Sequence, residues 1–349
     1  MDERALARAA AAIRDCDALL ICTGAGMGVD SGLGTFRGRN AGVWAPLKAM
    51  QMDFSEMSCP DWFESDARLA WAFWHFRHQA YTKGKPHAGY DLLAKWGARS
   101  PHSVFSVTSN IDGHWPRTRG IGEEKTFECH GALTHLQRVD EDSGRVWPTE
   151  DAEIAAMDVP AYDLSPGECV EAIVGGASAA AEWTRCVVAS DGCGVVAADD
   201  GRPLRVSAVR RPGGPDLFRV AATSPLPRCA MSGAPARPCV LMFGDGGVNC
   251  ERIDAQHERY RRWLDALPER AKLAVVEVGA GLAVPTVRRI AENATHRFAR
   301  ATLVRVNLDD SEVPRSLGER GVSVGGLGAL DALSRIDALM SEEAGHSGS

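Results

Sequence analysis

Apolar positions along the chain switch between helical spacing and short unbroken runs. Residues 3–15 set alanine, leucine and isoleucine on one face of an amphipathic helix. Ala18–Cys22 (ALLIC) is a continuous apolar run, the pattern of a strand buried on both faces. A glycine turn, Thr23-Gly24-Ala25-Gly26, follows at once. The aromatic-rich stretch 40–85, with Trp62, Phe63, Trp71, Phe73, Trp74 and Phe76, predicts a small helical layer. A helix over about 87–96, a strand over 103–107 and a strand-like Thr126–Cys129 come next.

Residues 134–236 break this rhythm. Acidic and Pro/Gly-rich segments fill 140–167, and a helix is predicted over about 168–181. Short β-branched runs follow at 186–189, 195–197, 204–209 and 217–221, with turns at Asp191-Gly192, Asp200-Gly201 and Gly213-Gly214. Beyond them, strands at 240–243, 273–278 and 301–307 alternate with helices at 253–266, 286–292 and 328–340. The expected fold is therefore α/β: a Rossmann-like doubly wound parallel sheet with an inserted small domain. Residues 1–133 and 237–340 would form the discontinuous sheet domain. The helical layer 40–85 and a β-rich module 134–236 would be inserted in it, and 341–349 would be a flexible tail.

Composition narrows the class. A net charge of −7 over 349 residues does not favour a nucleic-acid or membrane-surface grip. Nothing approaches the roughly 20 apolar residues of a membrane span. Asp2 and Glu3 lead into the first helix, unlike a signal peptide. The ten cysteines include no Cys-x-x-Cys pair, so neither a disulfide framework nor a four-thiolate zinc site is expected. A soluble, cytoplasmic protein is the reading.

The glycine turn admits two uses: a tight strand-to-helix connection without a ligand, or a cradle whose N–H groups approach a pyrophosphate. Its continuation runs Gly24-Ala25-Gly26-Met27-Gly28-Val29-Asp30-Ser31-Gly32-Leu33-Gly34-Thr35-Phe36-Arg37-Gly38. Further blocks follow at Thr108-Ser109-Asn110-Ile111-Asp112, His130-Gly131, Arg237-Pro238, Phe243-Gly244-Asp245, Gly279-Ala280-Gly281 with Pro285, and Asn307. In this order the blocks resemble the sirtuins, most closely a bacterial-type subset. The resemblance covers most of the chain outside 134–236.

The resemblance implies an NAD-dependent protein lysine deacylase that yields nicotinamide and O-acyl-ADP-ribose. It implies an NAD site at Gly24, Ala25, Gly26, Gly28, Ser31, Phe36, Arg37, Ser109, Asn110, Asp112, Gly279, Ala280, Gly281 and Asn307. Asn110 and Asp112 would hold the nicotinamide carboxamide, and His130 would be the general base. Phe36 would shield the reacting centre, and Arg37 would bind phosphate. Phe243, Gly244 and Asp245 would hold the acyl-lysine protein substrate as an added strand. Trp74-x-x-Arg77 resembles the Tyr-x-x-Arg pair of sirtuins that take acidic acyl groups, with Arg77 reading the carboxylate. Against that, Trp74 and Phe76 read as core, with Arg77 facing solvent.

Departures from the pattern are specific. Gly28 and Gly281 stand where serine is common, and Gly34 where proline is usual. The zinc module is reduced to Cys229-Ala230-Met231-Ser232, so structural zinc is not expected. These changes leave two alternatives open on the same fold: an NAD glycohydrolase or ADP-ribosyltransferase, and a non-catalytic NAD-binding protein.

Overall fold

The computed structural model describes the backbone of residues 2–34, 47, 50–140, 145–149, 154, 157, 165–174, 182–190, 194–214, 216–219 and 225–346. Phe36, Arg37 and the Asp191-Gly192 turn lie outside the described residues. The chain divides into two units: 1–40, 83–133 and 250–349 form one, and 41–82 with 134–249 form the other. The helical layer and the inserted module thus share a unit, and 237–249 belongs with them rather than with the parallel sheet.

In the first unit six parallel strands make one sheet: β1 (Ala18–Thr23), β2 (Val104–Thr108), β3 (Thr126–Glu128), β4 (Leu273–Val278), β5 (Thr302–Asn307) and β6 (Gly321–Gly325). Their spatial order is β6-β5-β4-β1-β2-β3. The winding reverses between β1 and β4. Loops leaving those two strands diverge there and open a crevice at the carboxyl edge of the sheet.

Five helices cover this sheet: α1 (Glu3–Arg14), α2 (Ala88–Gly97), α3 (Glu251–Asp265), α4 (Thr286–Arg297) and α5 (Ala329–His346). The unbroken apolar run of β1 now has its reason. Leu19 and Ile21 join Leu6, Leu93 and Leu333 in one core. Leu20 and Cys22 join Leu264, Val287 and Ala291 in the other. Each buried Leu or Ile contributes about 1.5–3 kcal/mol.

In the second unit, Ala67–Lys83 is a helix that buries Trp71, Phe73 and Trp74. Phe76, expected in the core, is 41% exposed. A six-stranded antiparallel sheet is built from segments between Cys169 and Arg219. The helix expected from 168 is instead the strand Cys169–Val174. Its alternation buries Val170 and Ala172, and Glu171 pairs with Arg210 at 2.8 Å. Cross-strand pairing overrides the helical propensity of its Glu and Ala.

A three-stranded sheet sets Gly131–Arg138 between Ala236–Val240 and Trp147–Pro148. The strand expected at 240–243 therefore ends at Val240 and does not join the parallel sheet. Residues 341–346, expected to be flexible tail, continue α5.

Candidate active site

A cleft of about 320 Å³ opens where the winding reverses. Its wall takes Gly24, Ala25 and Gly26 after β1, Ser109 after β2, Gly279, Ala280 and Gly281 after β4, and Asn307 at the end of β5. Gly28, Ser31, Asn110, Asp112 and His130 are not part of that wall.

The two glycine turns pack backbone against backbone. Gly26 N donates to Gly279 O at 2.9 Å. A Cβ on Gly24 would stand 2.6 Å from Ala280 Cα, and one on Gly26 2.7 Å from Gly279 Cα. Gly279 has φ +65°, and a Cβ there would meet Met27 N at 2.4 Å. Close packing of the turns thus requires these three glycines, whatever the cleft holds. Gly281 is different: the nearest atom to a Cβ there is Asp310 Oδ2 at 4.0 Å. A Cβ on Gly28 would meet only the Leu33 side chain, at 3.3 Å. Sterics therefore do not dictate the departure from serine at Gly281, and they favour it only mildly at Gly28.

Asn307 Nδ2 donates to Ala280 O at 3.0 Å, which ties the end of β5 to the second turn. The Ser31 hydroxyl accepts from His87 N at 3.1 Å, so it holds its own loop. Beneath the second turn lies a buried ion network that no sequence motif announces. Arg305 pairs with Glu277 through two contacts at 2.7 and 2.9 Å and with Glu292 at 2.7 Å. Arg288 donates to Ala280 O at 3.0 Å, Asp310 O at 2.8 Å and Glu312 O at 3.2 Å. Burial pushes the Glu277 carboxyl up, and Arg305 opposes it.

The second cluster forms at the ends of β2 and β3. Thr23 Oγ1 donates to Thr108 Oγ1 at 2.9 Å and accepts from Trp115 Nε1 at 2.8 Å. Thr108 Oγ1 also accepts from Asn110 N at 3.0 Å. Asn110 is thereby fixed to the two central strands. Asp112 is buried, and its Oδ1 accepts from His114 N at 2.9 Å. Tyr90, also missed in the sequence, lies against this pair. Burial and then the Asp112 charge push its phenol well up, and its hydroxyl has no hydrogen-bond partner among the described residues.

His130 lies two residues past the end of β3. Burial pushes its imidazole below the ordinary value of 6.5, opposed by the Ser109 backbone. The ring is therefore neutral at pH 7. Its Nε2 lies 3.3 Å from Thr286 Oγ1.

Two residues earlier, Glu128 is fully buried on the sheet. Its Oε2 pairs with Arg252 at 2.5 Å, and its Oε1 has no hydrogen-bond partner among the described residues. Burial pushes its carboxyl up to about 7, against the pull of Arg252. The folded chain holds this proton to about pH 7, whereas the unfolded chain releases it near 4.5. Its contribution is full below pH 4.5 and is lost as pH rises to 7. Urea unfolding of wild type and Glu128→Gln at pH 5 and 7.5 should show the wild type losing about 2–3 kcal/mol more across that interval. Equal losses would contradict the assignment.

In the second unit, Arg77 is 7% exposed rather than solvent-facing. Its guanidinium lies 4.7 Å from the Phe54 ring, 5.5 Å from Trp74 and 4.9 Å from Tyr81, and it donates to the Tyr81 phenol. The Asp245 side chain is also buried. Arg237 holds both its oxygens, at 2.7 and 3.0 Å, and Gly247 N donates to it at 2.9 Å. Asp245 therefore shapes its own loop, while Phe243 is 42% exposed and Gly244 sits at φ +71°. Cys229 lies in a tight turn, where Gly233 N donates to its carbonyl at 2.8 Å. Among the described residues no group of three or more His, Cys, Asp or Glu is arranged to hold a metal. No helix among them is long and apolar enough to cross a membrane.

A doubly wound sheet with paired glycine turns at its switch point defines a dinucleotide-cleft protein of the α/β class. A profile of the Sir2 family matches residues 24–262. The chain belongs to the Sir2 family. It is 32% identical over 144 residues to an NAD-dependent protein deacylase of Deinococcus radiodurans, covering 41% of this chain and 56% of that protein. It is 33% identical over 134 residues to NAD-dependent protein deacylase 2 of Corynebacterium efficiens, covering 38% and 50%. The matches thus span about half the length of these relatives. The fold is similar to that of a crystallised Sir2 homologue–NAD complex, with TM-score 0.57 at 16% identity over 98% of this chain and 95% of that one.

Proposed function

We propose that this chain is a cytoplasmic NAD-dependent protein lysine deacylase. One observation carries the reading: paired glycine turns, the Asn110/Asp112 pair and a half-buried His130 all emerge at the carboxyl edge of a single sheet. The register aligns Thr23 with Thr108 and Val278, and Thr108 with Glu128. The names of the relatives point the same way.

NAD fits the cleft by its chemistry. Gly24, Gly26 and Gly279 spend their N–H groups on backbone carbonyls, which leaves those of Ala25, Ala280 and Gly281 to suit a pyrophosphate, and the open space at Gly281 leaves room for it. NAD would supply a ribose carbon bearing a leaving nicotinamide. Asn307 would hold the adenine ribose, and Gly28, Ser31 and Ser109 would support the loop around the cofactor. Asn110 and Asp112 would orient the carboxamide. The lone pair of His130 would take the proton of a ribose hydroxyl. Phe36 and Arg37 keep the shielding and phosphate-binding roles that the resemblance gives them. Phe243 and the Gly244 backbone would receive the acyl-lysine segment, with Asp245 bracing their loop. Arg77 keeps the carboxylate-reading role that the resemblance gives it.

Purified protein should release nicotinamide from NAD only when an acetyl- or succinyl-lysine peptide is also present. Release without peptide would point to a glycohydrolase. No release with any peptide would overturn catalysis altogether.

A further inference from the structure

The first glycine turn leads into a 3-10 helix, Ala25–Ser31, whose Ala25, Gly26, Val29 and Asp30 line the cleft. We propose that His87 is a positioning residue that fixes this segment for NAD, its one imidazole serving both the cofactor loop and the start of α2. This rests on the reading of the cleft as the NAD site.

Three hydrogen bonds converge on His87. Its backbone N–H donates to Ser31 Oγ at 3.1 Å. Its Nε2 lies 2.8 Å from Met27 O. Its Nδ1 accepts from Gly89 N at 3.0 Å and so caps α2. A carbonyl can only accept, and an amide N–H can only donate. Nε2 therefore carries the proton and Nδ1 the lone pair. Only this neutral tautomer makes both ring contacts.

The chain leaves room for the ring. A Cβ on Gly89 would lie 2.5 Å from His87 Cε1 and 2.9 Å from Nδ1. Glycine weakens a helix, and here the imidazole fills the space it leaves. Asparagine or aspartate caps a helix well, but such a side chain ends at the cap and falls short of Met27. The Met27 and Ser31 contacts bracket Val29 and Asp30 of the cleft wall. Gly26, Gly28 and Gly32 give the same stretch backbone freedom. His87 removes part of that freedom beforehand, so NAD has less to order on binding.

Two variants separate the two jobs. His87→Asn keeps an acceptor for the Gly89 N–H but does not reach Met27. His87→Gln can bring an amide N–H to Met27 O but is a poor cap. Calorimetry with NAD should show His87→Asn binding about tenfold more weakly, the loss of one hydrogen bond, with its urea midpoint unchanged. His87→Gln should bind NAD within about threefold of wild type, with a lower urea midpoint. Without NAD, the Gly32 and Leu33 amides, which donate to Val29 O and Gly28 O, should exchange faster in His87→Asn and as in wild type in His87→Gln. Wild-type affinity in His87→Asn, or affinity that falls only in step with stability in both variants, would overturn the proposal. So would wild-type amide exchange in His87→Asn. Because exchange needs no cofactor, it decides the tether even if the wild-type protein binds no NAD.

Discussion

Arg305→Met should lower the unfolding free energy by about 3–5 kcal/mol, the usual cost of leaving a buried charge without its partner. Arg305 is 1% exposed, and Glu277 is fully buried on β4 between β1 and β5. Two parallel contacts at 2.7 and 2.9 Å hold them together. Removing the guanidinium strands the Glu277 carboxylate, since Arg288 is 4.0 Å away and already donates to three carbonyls. Glu292 is half-buried and can turn to water. Urea unfolding at pH 7.5 should show the loss. It should shrink at pH 5, because a stranded carboxyl escapes the penalty by taking up a proton. The double variant Glu277→Leu/Arg305→Met should recover much of the stability, since an apolar pair carries no desolvation cost. A single variant within about 1 kcal/mol of wild type would contradict this account. Glu277 lies two residues before Gly279, and Arg305 two before Asn307, so NAD affinity should fall as well.

That network shows where the sequence stops being legible. Leu273–Val278 reads as a buried strand by its apolar run, and it is one. The partner of the glutamate within it lies 28 residues on and on another strand, out of reach of any local pattern. The same limit explains Arg77. Helical spacing places it beside Trp74, but not under the Phe54 ring, which a separate segment brings over it. Asp245 sits in a block that resembles a substrate-binding motif, and only the fold joins it to Arg237. β6 escaped notice because glycines at both ends of GVSVG read as turn signals. Local order was readable: β1, the glycine turn and the His130-Gly131 block. Pairing over long separations was not.

His130→Gln should lower acyl-peptide-dependent product formation about 100- to 10,000-fold, the range a positioned general base supplies. Glutamine keeps a polar side chain of similar reach facing Thr286 but cannot take a proton at pH 7. Stability by urea unfolding should therefore stay close to wild type, which separates loss of chemistry from loss of fold. The proposed proton transfer follows departure of nicotinamide, so exchange of labelled nicotinamide into NAD should survive the substitution. The pH profile gives a second reading. A base works only when unprotonated, and burial moves the His130 imidazole below 6.5. The acid limb of wild-type kcat should accordingly lie below that of an ordinary histidine, with full activity retained at pH 7. Turnover in the variant within about threefold of wild type would remove His130 from the chemistry. Loss of exchange together with turnover would instead mean that the imidazole acts on cofactor binding before any proton moves.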